Sequence, residues 1–161
     1  MLVFAIALLA GAGVLLLRFF GERRQPEEHA FFYDLSERKL FSAPRTLVPP
    51  IRGVNDDTQD GVRAVVIATS GNANDRASRK IAYLEKYAPE LKRQVEAMQS
   101  GEETSLPAGA RITRGAAQSF TFVRRVDEET WYPLNSPEAE KIMTDWQSQG
   151  LNGATPAVCV P

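Results

Sequence analysis

The chain has 161 residues, 43% of them hydrophobic and 24% charged, with 19 Lys+Arg against 20 Asp+Glu. That length holds one globular domain and little else, and the ordinary composition excludes wholesale disorder, collagen-like repeats and a multi-span membrane protein. The near-neutral balance argues against a nucleic-acid binder, while one cysteine (Cys159) and one histidine (His29) exclude a disulfide framework, a cysteine-rich zinc site and most triads.

The N-terminal segment carries the clearest physical signal. Residues 2–17 contain no polar side chain, and Phe19 and Phe20 continue the run past Arg18. From Leu2 to Phe20 a helix would rise roughly 28 Å, the thickness of a bilayer core. Ala10-Gly11-Ala12 has the form of a signal-peptidase site, but no basic stretch precedes the apolar run, so residues 1–20 read as a retained transmembrane anchor in contact with lipid. Arg18, Arg23 and Arg24 against Glu22 place the following domain in the cytoplasm by the positive-inside rule, the periplasm being the alternative. Residues 21–29, charged and interrupted by Pro26, read as a stalk ending at His29. Setting aside Arg18, 18 of the 19 basic residues face 20 acids, a net of −2 beyond the anchor.

The folded domain is expected over residues 30–161. Phe31, Tyr33 and Leu35 alternate with Phe32 and Asp34, and a polar turn before Leu40-Phe41 predicts a β-hairpin. Pro44, Pro49 and Pro50 exclude regular structure up to about Gly61. Residues 62–69 (VRAVVIAT) are β-branched and nearly continuously apolar, the pattern of a central strand covered on both faces. After the loop 70–75, Ile81, Leu84, Ala88, Leu91, Val95 and Met98 step by three and four residues. This spacing predicts a helix over 76–87 and, with Pro89 in its first turn, a second helix after it.

Residues 99–109 read as a loop, and residues 111–114 and 119–126 as two more strands joined through Gly115. Trp131-Tyr132-Pro133 is extended. Ser136-Pro137-Glu138 has the N-cap, the first-turn proline and the acid that open a helix, with Ala139, Ile142, Met143 and Trp146 inward and Gly150 as its stop. Residues 151–161 read as a tail. The sum is an α+β protein: a transmembrane helix, then one small domain with a mixed or antiparallel sheet of four or five strands and two to three packed helices.

Few residues offer chemistry. The strand–loop–helix reading puts Ser70, Gly71, Asn72, Asn74 and Asp75 where backbone N–H groups could hold a small anion, although neither a Walker lysine nor a G-x-G-x-x-G accompanies them. Asp56-Asp57-Thr58-Gln59-Asp60-Gly61 resembles half a calcium loop, but Ile67 stands where the bidentate glutamate belongs, so the acidic-loop reading prevails. His29 lies in the stalk, away from any pocket. Cys159 has no neighbouring His or Cys, and is either buried or paired with a second chain. Arg111, Arg114, Arg124 and Arg125, interleaved with Phe120 and Phe122, have the composition of an RNA-binding sheet, but Asp127, Glu128 and Glu129 follow at once. No nucleophile, base and orienting group come together, so no enzyme activity, cofactor or metal is expected.

One resemblance is carried by Phe32-Tyr33-Asp34-Leu35, Leu40-Phe41, Ala43-Pro44 and Pro49-Pro50-Ile51. Gly61-Val62-Arg63-Ala64, Tyr83-Leu84-Glu85-Lys86-Tyr87, Trp131, Asn135-Ser136 and the Cys159 tail extend it. These residues resemble a family of small, uncharacterised, single-pass membrane-anchored bacterial proteins with no known activity. Its members can have cysteines after the central strand, where this chain has Ser70-Gly71-Asn72, so the resemblance implies no redox or metal role and transfers no functional residues. The function expected is a membrane-anchored, non-enzymatic binding or scaffolding module with an unidentified protein partner, such as an accessory subunit of a larger membrane assembly. A small-ligand or anion-binding domain using the 70–75 loop is the alternative.

Overall fold

The structure, a computed structural model, describes residues 28–55, 57–102 and 111–161. The expected hairpin forms from β1 (His29–Asp34) and β2 (Lys39–Pro44), in a register that pairs Phe32 with Phe41 and Asp34 with Lys39. The first strand therefore starts at His29, one residue inside the segment read as stalk. β3 (Gly61–Ala68) is the expected central strand, with six of its eight residues buried.

The largest departure comes next. Residues 76–87 are not a helix. Arg76–Ser78 form a single 3-10 turn, and Arg79–Tyr87 are β4, hydrogen-bonded to β3 along one edge. The register explains why a helical spacing appears in a strand. Val65 faces Tyr83 and Val66 faces Ile81, so Ala82 is an extra residue in a bulge. Beyond the bulge the alternation changes phase, and Ile81 and Leu84, three residues apart, come to lie on the same side of the sheet. Three-residue spacing in a bulged strand thus imitates the inward stripe of a helix.

The second half of the helix prediction matches α1 (Pro89–Ser100), which has Pro89 in its first turn, Leu91 buried and Gly101 closing it at φ 76°. Residues 111–114 do not form a strand. The Gln94 side chain receives the Ile112 N–H at 2.7 Å and donates back to the Ile112 carbonyl at 2.9 Å, occupying the groups a ladder would use. Thr113 then caps the short helix α2 (Arg114–Ala117). β5 is confined to Thr121–Arg124, and β6 is Tyr132–Pro133. α3 (Pro137–Asp145) opens as expected, the Ser136 hydroxyl accepting from the Ala139 N–H at 3.1 Å. It ends at Asp145 and runs into a 3-10 turn, so Gly150 is not its stop. Gly150 is required for a different reason: a Cβ there would lie 1.5 Å from the Ala154 carbonyl oxygen.

The C-terminal segment is more than a tail. β7 (Ala157–Val158) pairs with β3, and the Cys159 N–H bonds the Val66 carbonyl at 2.8 Å. Among the described residues the result is one seven-stranded antiparallel sheet, ordered β2-β1-β3-β4-β5-β6 with β7 beside β3, rather than four or five strands. β1 and β7 share the edge of β3 opposite β4, each covering part of it.

α1 and α3 sit on one side. Ala139 and Ile142 of α3 pack on Val123, with Tyr83 and Tyr132 around them. α1 and the 45–51 segment cover the same side further along: Lys92 and Glu96 share a cavity with Phe41, Val48 and Ile51, and the Arg63 guanidinium binds the carbonyls of Arg45 and Leu47 at 3.0 and 3.1 Å. The opposite side has its own cluster of Val62, Ala64, Val66, Ala68, Leu84 and Cys159, bordered by Phe31, Tyr33, Ile81 and Trp131. Among the described residues no helix contributes to that cluster. No described helix is long and apolar enough to cross a membrane, and residues 2–20 lie outside the described residues.

Candidate functional site

The 70–75 loop spends its polar groups on itself. Gly71, at φ 79°, turns the chain and donates its N–H to the Ala68 carbonyl at 3.2 Å. Asn72 Oδ1 accepts from the Asn74 N–H at 3.0 Å, and the Asp75 N–H bonds the Asn72 carbonyl at 2.9 Å. Asp75 Oδ1 accepts from the Ala77 N–H at 3.1 Å, while the Ser70 and Ser78 hydroxyls meet at 2.8 Å. Hydrogen bonds from the Ser70 and Ser78 side chains hold the Asp75 carboxyl below its ordinary range. Asp75 is the cap, but of one 3-10 turn rather than a long helix. A turn that short has little dipole to offer an anion.

The remaining sequence candidates are dispersed. Asp56 lies outside the described residues; Asp57 pairs with Arg52 at 2.5 Å on the surface, and Asp60 Oδ2 accepts from the Ser36 N–H at 3.0 Å. His29 is exposed at the start of β1, and Cys159 is buried. The four arginines do not form one patch. Arg111 precedes α2 and Arg114 lies on it, both exposed, and Phe120 sits in the 3-10 turn before β5. Arg125 turns to the helical side, where it binds Glu128 at 2.8 Å and Asp145 of α3 at 2.5 Å. Arg124 turns the other way.

On that other side, near the start of α1, a cluster forms that the sequence does not mark. In the β4–β5 register Leu84 faces Arg124 and Lys86 faces Phe122, so Lys86, Phe122 and Arg124 project from one surface. Trp131, just before β6, completes it. The Lys86 ammonium lies 4.3 Å from the centre of the indole ring and the Arg124 guanidinium carbon 4.9 Å from it. Both distances are within cation–π range.

Each cation is short of ordinary partners. Arg124 Nη1 donates to the Glu128 carbonyl, but its Nε is buried without an acceptor. Among the described residues no carboxylate is paired with Lys86. Burial, and secondly the charge of Arg124, push the Lys86 ammonium below its ordinary pKa. Burial lowers Arg124 as well, opposed by Tyr33 and Glu129. Two cavities flank the cluster. One, of about 370 Å³, is bounded by Pro50, Lys86, Tyr87, Pro89, Phe122 and Trp131, and is mostly apolar. The other, of about 540 Å³, lies between Tyr33, Arg38, Arg124 and the acidic residues 127–129.

This arrangement contains no activated nucleophile and no paired acid and base. It does present two incompletely neutralised cations and an aromatic wall to solvent, which is the chemistry of recognition. The sequence does not reveal it, because the apolar spacing predicts a helix across Lys86 and Trp131 stands in an unremarkable extended segment. The β4–β5 pairing is the contact that unites them. No protein family, curated protein or solved structure matches the chain.

Proposed function

We propose that this protein is a membrane-anchored, non-enzymatic binding module whose working surface is the face of the sheet around Trp131. One observation carries the reading: Lys86 and Arg124 converge on a single indole ring without a carboxylate between them, beside two cavities. Desolvating two like charges is unfavourable for an isolated domain, and a complementary partner would relieve it. The apolar run of residues 2–17, continued by Phe19 and Phe20, supports tethering at a bilayer. The alternative, an anion site at Ser70, Gly71, Asn72, Asn74 and Asp75, is less well supported, since the Gly71 N–H bonds the Ala68 carbonyl and the N–H groups of Asn74 and Asp75 bond Asn72.

Photo-crosslinking in cells tests the reading. A crosslinking side chain at Phe122 or Val126, on the working face, should give a discrete adduct with one protein. The same group at the exposed Arg93 or Lys141 on the helical side should not. Adducts that do not depend on position, or none from Phe122 and Val126, would remove the working surface. Deleting residues 1–20 should move the chain from the membrane to the soluble fraction.

A further inference from the structure

We infer that the cleft enclosed by Trp131, Phe122, Lys86 and the Tyr87–Pro89 corner binds a monoanionic organic carboxylate with an aromatic or aliphatic body. The inference rests on the preceding reading that this face is the working surface. The cleft, at about 370 Å³, lies in the range of small-molecule sites. Pro50, Pro89, Phe122 and Trp131 make its walls apolar, so a wholly polar ion would leave most of it unfilled.

Its charged element is Lys86, which lines the cleft and has the Trp131 ring face as its neighbour. Arg124 lies against the same ring but lines the neighbouring cavity, so it adds positive potential without touching the contents of the cleft. An organic cation would be repelled by Lys86, and a neutral molecule would leave that charge unpaired. A carboxylate supplies Lys86 with a counter-charge and an acceptor, while its apolar body covers Phe122 and the indole. More than one negative charge is disfavoured, because Asp127, Glu128 and Glu129 line the cavity on the far side of Arg124. The 70–75 loop takes no part.

The probe is phenylacetate, with phenylacetamide as neutral control and phenethylammonium as cationic control. The full chain is held in nanodiscs of neutral phosphatidylcholine, with Trp146→Phe so that Trp131 is the only fluorophore of its kind in the chain. Phenylacetate should change Trp131 fluorescence saturably, with a Kd on the order of 10 mM or tighter for a ligand of this size. Phenylacetamide and phenethylammonium should bind at least about tenfold more weakly. Lys86→Gln should weaken phenylacetate by about 10- to 100-fold, the loss of one charge-assisted hydrogen bond. Lys86→Arg, which keeps the charge, should retain binding, and unchanged circular dichroism would show that both variants fold. An unsaturable response, equal binding of phenylacetamide, or a Lys86→Gln variant that binds like the wild type would overturn the inference. Loss of the phenylacetate response with crosslinking from Phe122 and Val126 intact would remove the ligand and leave the working surface. Loss of both would remove the two together.

Discussion

Replacing Asp34 tests how the two ends of the first hairpin are locked to the rest of the domain. Asp34 is fully buried at the end of β1, yet it carries a charge. Its Oδ1 accepts from the Ser36 hydroxyl at 2.9 Å and the Glu37 N–H at 2.8 Å, and its Oδ2 accepts from the Val54 N–H at 2.7 Å. The carboxylate thus closes the β1–β2 turn and pins the loop that precedes β3. In Asp34→Ala two backbone N–H groups lose a charged acceptor at once. At about 1.5–3 kcal/mol for each such bond, partly recovered where water enters, the cost should be about 3–5 kcal/mol. That is a large share of a typical stability of about 5–15 kcal/mol.

Asp34→Asn keeps the shape and one carbonyl acceptor, so it should lose about half as much. Its amide nitrogen nevertheless faces donors. The assay is urea unfolding of residues 28–161 followed by circular dichroism. The buried core on both sheet faces predicts that this fragment folds on its own.

The pH dependence supplies a second readout. The Glu37 N–H first, then the Val54 N–H, hold the Asp34 carboxyl below its ordinary pKa, with burial opposing them. A folded-state pKa below the unfolded one gives stability that is complete above the ordinary aspartate range. That stability is lost as pH falls through the lower, folded value. The wild type should therefore lose more stability than Asp34→Asn between about pH 5 and pH 2. An Asp34→Ala cost under about 1 kcal/mol, or identical acid limbs for wild type and Asp34→Asn, would refute the argument that this carboxylate locks the hairpin.

Three further outcomes follow from the packing. Gly150→Ala should lower the thermal midpoint by several degrees, about 2–8 °C per kcal/mol for a domain of this size, because its Cβ would meet the Ala154 carbonyl; an unchanged midpoint would contradict the close approach. Cys159 should resist thiol reagents in the native domain and react on unfolding, so rapid stoichiometric labelling without denaturant would show that β7 does not stay docked. Ser136→Ala should cost about 1 kcal/mol in chemical denaturation while Ser136→Gly costs only a few tenths, and equal losses from the two would argue against the side-chain cap.

What the sequence determined alone is local. The alternation at 31–35, the apolar run at 62–69 and the Ser136-Pro137-Glu138 start are each decided by residues within one turn or one strand, and each appears where expected. The tertiary structure decided whatever depended on a distant partner. Residues 79–87 carry apolar side chains at three-residue spacing, and only a bulge at Ala82 between two neighbouring strands makes that spacing a sheet face. Ile112 could have entered a ladder, but Gln94, 18 positions away, takes its backbone groups. Cys159 and its neighbours read as a tail because the open edge of β3 that receives them exists only once the sheet has formed. The cluster around Trp131 belongs with these, since Lys86 is remote in the chain from Arg124 and Trp131 and meets them through the β4–β5 register. Short-range steric and capping preferences are written into neighbouring residues, whereas backbone pairing and charge convergence are properties of segments that the folded chain brings together.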